Sequence, residues 1–431
     1  MTKNFFLCLL TFVLLSACSH AELPPSPSPL PPPSQTSTPP SPPKSSPLPP
    51  TLPPSGSIID ELAEPLVPLP TMDPQHRFIP TPTPPLSISA YSRRNGYRYM
   101  LLSSGVPLPT RTISDPPAVE FGVQINGCDG DPDALTQLAK SLGFTWIKQQ
   151  FRWGDLSPAP DQVDWRCLDR VTSAAQTHNM KLMVSITTSP RWSRNSPTVY
   201  GPPDNIQPWR HLISTLVRRY AHHLHALELW NEPNLAAEWD NSPNPLYFSK
   251  MVLMGYIASK SIKRDIIVIT GAVAPIDGSH VFKYMSDLEF LDQAFREGAM
   301  TDAYDCLGVH ANGPPGIGFV PEVLERYRTY YASRPDIPPR PLCLTEFSYS
   351  IPIAGQLPEG FNWASVHDEA LGAQRIRDWL VEIERSKLVH LAILFNLGYH
   401  DGITPNSIAA LDRPGLRGDI LKAISEYLLA R

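Results

Sequence analysis

The chain has 431 residues, room for one large domain or two ordinary ones with a well-buried core. Its 36 Lys and Arg against 41 Asp and Glu leave a formal charge of −5, which argues against a nucleic-acid partner, since that calls for a basic stripe. Cys128, Cys167, Cys306 and Cys343 are too few for a disulfide scaffold in so long a chain, and no CxxC or His/Cys cluster points to a metal.

The N-terminus carries Lys3, an apolar run over 5–15 and then Ser16-Ala17-Cys18. A short positive region, an apolar segment too brief to span a membrane as a mature helix, and small residues before a cut describe a secretory signal. Leu15-Ser16-Ala17-Cys18 also resembles the bacterial lipobox. That implies a signal peptide over 1–17, cleavage before Cys18 and diacylglycerol on its thiol, so that the exported chain is anchored to the bacterial membrane. Ordinary signal cleavage, with Cys18 lost or left as a spare thiol, is the competing reading. Each buried CH₂ of an acyl chain contributes ~0.8 kcal/mol, so several chains hold a protein firmly.

Residues 18–85 are rich in Pro, Ser and Thr, with 24 of the chain's 51 prolines between 24 and 85. Such a segment is expected neither to ladder nor to pack. It favours extended polyproline II and reads as a tether, thirty residues of which reach roughly 100 Å at ~3.1 Å each. A PxxP ligand for another domain is the alternative. Over 86–118, Asn95-Gly96 sits between Ile88, Ala90 and Tyr97, Tyr99, Leu101, which alternate with polar residues. That pattern predicts a hairpin extension packing on the main domain.

From Val119 onward short apolar runs alternate with amphipathic helical stretches. Strands are expected over 120–125, 146–151, 181–186, 226–231, 266–270, 306–310, 342–346 and 391–396. Helices are expected over 132–142, 164–178, 208–223, 245–263, 287–296, 321–331, 369–386 and 418–429. Eight of each in alternation, with no glycine-rich phosphate fingerprint after the first strand, predict an α/β fold of the (β/α)₈ TIM-barrel class over 119–431 rather than an open doubly wound sheet. Strand parity then places Lys148, Gln150 and Arg152 on one face, as it does Glu228, Trp230 and Glu232, then Gly308, His310 and Asn312, then Leu344 and Glu346. Those faces should point into the barrel. Inward polar residues are costly unless paired, so Lys148 is expected to pair with Glu228.

Two short apolar runs end on glutamates: Ala226-Leu227-Glu228-Leu229-Trp230-Asn231-Glu232-Pro233-Asn234, and Pro341-Leu342-Cys343-Leu344-Thr345-Glu346-Phe347-Ser348. At the ends of the fourth and seventh strands, Glu232 and Glu346 should face each other across the barrel mouth, where active sites sit in this fold. A retaining glycosidase needs two carboxyls ~5–5.5 Å apart, one a proton donor and the other a nucleophile.

Trp230-Asn231-Glu232-Pro233-Asn234 with Thr345-Glu346-Phe347 resembles clan A of the glycoside hydrolases, the cellulase and β-xylosidase type, nearest to families five and thirty-nine. The resemblance implies Glu232 as acid/base, Glu346 as nucleophile, Asn231 on the sugar 2-hydroxyl and Arg152 hydrogen-bonded to the nucleophile. Ser189-Pro190-Arg191-Trp192 is also similar to the loop after the third strand in family thirty-nine. Two positions depart from the clan's pattern. His310-Ala311-Asn312 stands where a tyrosine commonly follows the histidine by two, and Phe395-Asn396 where a tryptophan is usual, so nucleophile tuning and the sugar platform differ.

Blander readings accompany each residue. Glu232 could be a surface carboxylate, Glu346 a structural partner of Arg152, Arg152 a neutraliser of buried acids, and His310 a satisfied core histidine. His222, His223 and His225 are read as closing a helix, where cations are favoured, rather than binding metal. Trp153, Trp192, Trp239 and Tyr399 follow strand ends, where flat faces could stack on sugar, whereas Trp146, Trp165 and Trp379 belong to core patterns. Cys128 and Cys167 either bridge the first loop to the second helix or stay free and buried.

The leading expectation is therefore a lipid-anchored monomer that hydrolyses β-linked oligo- or polysaccharide by double displacement, with a carbohydrate partner and no metal or cofactor. A catalytically weak or inactive carbohydrate-binding lipoprotein on the same barrel is the rival. A zinc hydrolase fails for want of ligand spacing.

Overall fold

The computed structural model describes residues 118–196, 200–240, 242–278, 283–296, 300–337, 339–350, 365, 368–397 and 418–431, together with four short strands nearer the N-terminus. The signal, Cys18 and Tyr399 lie outside the described residues. Ile88–Arg94 pairs antiparallel with Tyr97–Leu102, Arg94 opposite Tyr97, which is the expected hairpin. Thr71–Met72 also pairs with Phe78–Ile79, inside the stretch read as unable to ladder. Here Thr, Met, Phe and Ile outnumber the single Pro74, so local β propensity is higher than in the surrounding Pro/Ser repeats.

The barrel strands are β1 (Glu120–Ile125), β2 (Trp146–Arg152), β3 (Lys181–Thr187), β4 (Leu224–Asn231), β5 (Ile267–Ala272), β6 (Leu307–Ala311), β7 (Leu342–Phe347) and β8 (Val389–Leu397). Their parallel order is β6-β7-β8-β1-β2-β3-β4-β5. The bridges Ile269 to Cys306 and Val273 to Val309 join β5 back to β6 and close the ring. Gly308 permits that approach, because a Cβ there would lie 2.6 Å from the Thr270 carbonyl oxygen. The fold is a TIM barrel.

The helices are α1 (Pro132–Ser141), α2 (Arg166–Thr177), α3 (Ile206–Arg219), α4 (Pro245–Lys260), α5 (Asp287–Arg296), α6 (Val320–Ser333), α7 (Glu369–Ser386) and α8 (Gly418–Leu429). Side chains set several of their starts: Asp131 accepts from Asp133 N, Asn205 from Gln207 N, Asn244 from Tyr247 N and Asp368 from Leu371 N. Helix α3 ends at Arg219, so His222 and His223 fall in the turn that follows and His225 lies within β4 rather than closing a helix. Among the described residues no group of three His, Cys, Asp or Glu is placed to hold a metal, and no helix is long and apolar enough to cross a membrane.

Two apolar layers hold the barrel. Inside, Trp146, Met183, Ala226, Ile269, Cys306, Cys343, Leu391 and Ile393 fill the base. Outside, a larger layer joins strands to helices through residues such as Ile147, Leu229, Trp209 and Phe248. Cys306 is bonded to Cys343 within the inner layer, with Cα atoms 5.7 Å apart, and Cys128 is bonded to Cys167 across a Cα separation of 5.1 Å. The second bridge ties the loop after β1 to α2, one of the two expected alternatives.

Simple alternation fails on both strands that bear the glutamates. Trp230 does not share the inward face of Glu228: it lies in the outer layer against Trp209 and Trp239, ring centres 5.9 and 5.7 Å away. Its φ of 123° breaks the strand's period of two. On β7 the inward residue is Cys343 and Leu344 faces outward. Register shifts between Val309 and His310, and between Leu344 and Phe347, then return Glu346 to the interior.

Candidate active site

The strands place a buried charge network at the C-terminal half of the barrel. Lys148, inward on β2 above Trp146, is fully buried. Its Nζ lies 3.3 Å from a Glu228 oxygen and 3.1 Å from Glu346 Oε1, and donates to the Thr345 carbonyl at 3.1 Å. The expected Lys148–Glu228 pair is therefore present, and the same ammonium reaches Glu346. Burial opposes the lysine's charge, but the carboxylates of Glu228 and Glu346 outweigh it and hold the Lys148 pKa above its ordinary value.

Glu346 is likewise buried, which alone would favour its neutral form. The charges of Lys148 and His310, with hydrogen bonds from Lys148 and Asn312, reverse that and lower its pKa. Asn312 Nδ2 donates to Glu346 Oε2 at 3.2 Å. Lys148 thus contacts Glu346, where the resemblance implied Arg152. Arg152 Nε is paired with Asp155 Oδ2 at 2.6 Å, and its guanidinium lies 5.4 Å from the Tyr200 ring centre, at the rim. Lys148 was read only as a partner of Glu228, because parity says which residues share a face and not how deep each one sits.

Glu232 follows β4 and is 3% exposed. Its own φ is 38°, so Trp230 and Glu232, on either side of Asn231, both occupy a backbone region that costs non-glycine residues on the order of 1–3 kcal/mol. The loop is held in compensation. Buried Asn234 donates from Nδ2 to the carbonyls of Ala274 and Met285, at 2.9 and 3.0 Å, and its Oδ1 accepts from Ala274 N at 2.9 Å. That clamp joins the loop after β4 to the one after β5. The motif by itself gives Asn234 no role, since its partners are 40 and 51 residues away.

His310 links the two glutamates. It is fully buried on β6, with Nδ1 2.9 Å from Glu232 Oε1 and 3.8 Å from Glu346 Oε2. Those two oxygens are therefore no further apart than the two distances, 2.9 and 3.8 Å, laid end to end, 6.7 Å. Burial lowers the imidazole's pKa, and the charge of Glu346 with the hydrogen bond to Glu232 more than restores it, so the net direction is upward.

Asn231 is 8% exposed, beside Glu232. Trp153 and Trp239 are 2% and 3% exposed, which corrects their reading as sugar platforms. Trp153 is wedged against Trp192 and Trp209, and Trp239 against Trp230 and Phe248, so their rings build the wall behind the mouth. Trp192 is half-buried, its Nε1 donating to the Ser157 carbonyl at 2.9 Å. Where the clan's pattern has tryptophan, Phe395 on β8 is 6% exposed.

One titratable group at the mouth was not anticipated. Glu238 lies on the short helix Ala236–Trp239 after β4 and is partly exposed. Burial first, then the charge of Glu232, push its carboxyl up to about 7, against the pull of Arg152 and a hydrogen bond from Thr187. Nothing local in Leu235-Ala236-Ala237-Glu238-Trp239 marks it, because its environment comes from Glu232 after β4 and from β2, β3 and β7.

The barrel is similar to several solved structures. A family 39 glycoside hydrolase from Bacteroides cellulosilyticus matches over 76% of this chain and 69% of its own, at 16% identity and a TM-score of 0.55. A psychrophilic family 10 endo-β-1,4-xylanase matches over 72% and 96%, at 13% identity and a TM-score of 0.53. A family 5, subfamily 18 glycoside hydrolase from Streptomyces cattleya, solved in complex with GlcNAc, matches over 73% and 80%, at 13% identity and a TM-score of 0.53. At these identities the likeness is one of fold. No protein-family model and no curated protein matches the chain.

Proposed function

We propose that the chain is a retaining glycoside hydrolase acting on β-linked oligo- or polysaccharide, with Glu346 as nucleophile and Glu232 as acid/base. The observation that carries this reading is His310 Nδ1 set between Glu232 and Glu346, which bounds one oxygen–oxygen separation at 6.7 Å. A retaining pair stands ~5–5.5 Å apart and an inverting pair ~6.5–9.5 Å, and one imidazole nitrogen shared by both carboxyls favours the closer spacing. The glycoside hydrolases that share the fold support hydrolysis of a glycosidic bond as the reaction.

In the first step Glu346 attacks the anomeric carbon, the bond to the leaving oxygen breaks, and the proton on Glu232 passes to that oxygen. Lys148, His310 and Asn312 keep Glu346 ionised and aimed. In the second step Glu232 takes a proton from water as its oxygen displaces Glu346 from the sugar. The strained turn at Glu232 and the Asn234 clamp hold the acid/base in place through both steps. On the same reading Asn231 binds the sugar 2-hydroxyl, Cys18 carries the lipid that anchors the exported chain, and the Pro-rich segment holds the barrel away from the membrane.

A screen of aryl β-glycosides and β-linked polysaccharides tests the activity. Glu346→Ala should lose at least a thousandfold on every substrate the wild type cleaves, whereas Glu232→Ala should spare aryl glycosides whose leaving group needs little protonation. Equal losses for both kinds of leaving group in Glu232→Ala would remove it from the acid/base role.

A further inference from the structure

Glu238 is unused by that mechanism, yet it is built into the mouth. Its backbone carbonyl accepts from Trp230 Nε1 at 3.1 Å, and its N–H donates to the Leu235 carbonyl at 3.1 Å, so the side chain starts from a fixed point. Thr187 Oγ1, at the end of β3, donates to its Oε2 at 3.4 Å. The other oxygen has no hydrogen-bond partner among the described residues, and the side chain is partly exposed.

We propose that Glu238 is a specificity-determining residue: Thr187 holds one oxygen of its carboxyl, and the other is offered as a hydrogen-bond donor to a hydroxyl of the bound carbohydrate. The proposal rests on the glycosidase reading. Burial of the carboxyl and the charged groups around it explain why it can donate. Burial disfavours the ionised form most, Glu232 after β4 and Glu346 on β7 add to that, Arg152 at the end of β2 and the hydrogen bond from Thr187 oppose them only in part, and the carboxyl is pushed up to about 7. A neutral carboxylic acid both donates and accepts, which suits a hydroxyl. Once ionised it can only accept, and adds charge beside the two glutamates.

The test uses the full chain with p-nitrophenyl β-D-glucoside, β-D-xyloside and β-D-mannoside, measuring kcat and KM between pH 5 and 8.5. Glu238→Ala should raise KM about three- to tenfold with kcat little changed, the size expected for one lost hydrogen bond made equally in ground and transition states. Glu238→Gln keeps a donor and does not titrate. Its KM should match the low-pH wild-type value and stay flat, while wild-type KM rises above pH about 7. Carbon-13 labelling of the glutamate carboxyls should show, in wild type, a resonance titrating near neutrality that Glu238→Gln lacks. Cleavage of a glycoside with the same KM in Glu238→Ala as in wild type overturns the proposal alone, as does a carboxyl that titrates in the ordinary glutamate range. Where none of the three is cleaved, the same measurements are made on whichever β-linked substrate the screen shows to be cleaved, and a wild-type chain that cleaves no substrate of the screen overturns the glycosidase reading beneath it.

Discussion

Lys148 balances two buried carboxylates, and breaking such a triad by removing its cation leaves buried charges uncompensated. Lys148→Met should therefore cost about 3–5 kcal/mol in urea unfolding at neutral pH. The loss should shrink as pH falls through the depressed Glu346 pKa, because the protonated Glu346 no longer needs the partner. Lys148→Met/Glu228→Gln should recover part of it, and a cost under about 1 kcal/mol for Lys148→Met would mean that the charges do not depend on one another. The same contact sets a pH dependence. Since Lys148 and His310 depress the Glu346 pKa, the acidic limb of activity should lie below the ordinary glutamate value of about 4.3, and Lys148→Met should move it upward. Glu232 and Glu346 were legible because two apolar runs each stop on a carboxyl at the right strands. The choice of Lys148 over Arg152 beside Glu346 was not, because it depends on depth inside the barrel, which an alternating pattern leaves open.

Element by element, the eight strands and eight helices were legible because each carries its own period and its own punctuation. The boundaries of α5, α7 and α8 coincide with the expected ones, while most strands run a residue or two beyond the apolar core of their run. The parity argument failed at Trp230 and Leu344, since a positive φ on β4 and register shifts around β7 each reverse the face. These irregularities sit where the candidate catalytic residues are aimed, and regular alternation cannot foresee them. The bridge from Cys128 to Cys167 fastens the loop after β1 onto α2. Replacing both cysteines by alanine should cost about 2–4 kcal/mol in urea unfolding. No change would show that the loop is held as well by packing alone.

For the whole molecule, the proposed export by way of a signal-like N-terminus would place folding in an oxidising compartment, where disulfides persist. If Cys18 is the acylated N-terminus, a fatty-acid probe should label the wild-type chain and not Cys18→Ser, and the variant should leave the membrane fraction. Equal membrane retention of the two would remove the anchor. At this scale the barrel class was legible from the count and order of elements, whereas the sugar was not, because the residues that surround a substrate come from loops whose sequences carry no period.

The claim that Glu346 and Glu232 form a retaining pair is tested most directly by the anomer of the first-formed product, followed by NMR during hydrolysis of a β-glycoside that the screen shows to be cleaved. The mechanism predicts the β-anomer at early times, before mutarotation, and a β-glycosyl azide when azide is added to Glu232→Ala. An α-anomer formed first would contradict the double displacement and, with it, the assignment of Glu346 as nucleophile.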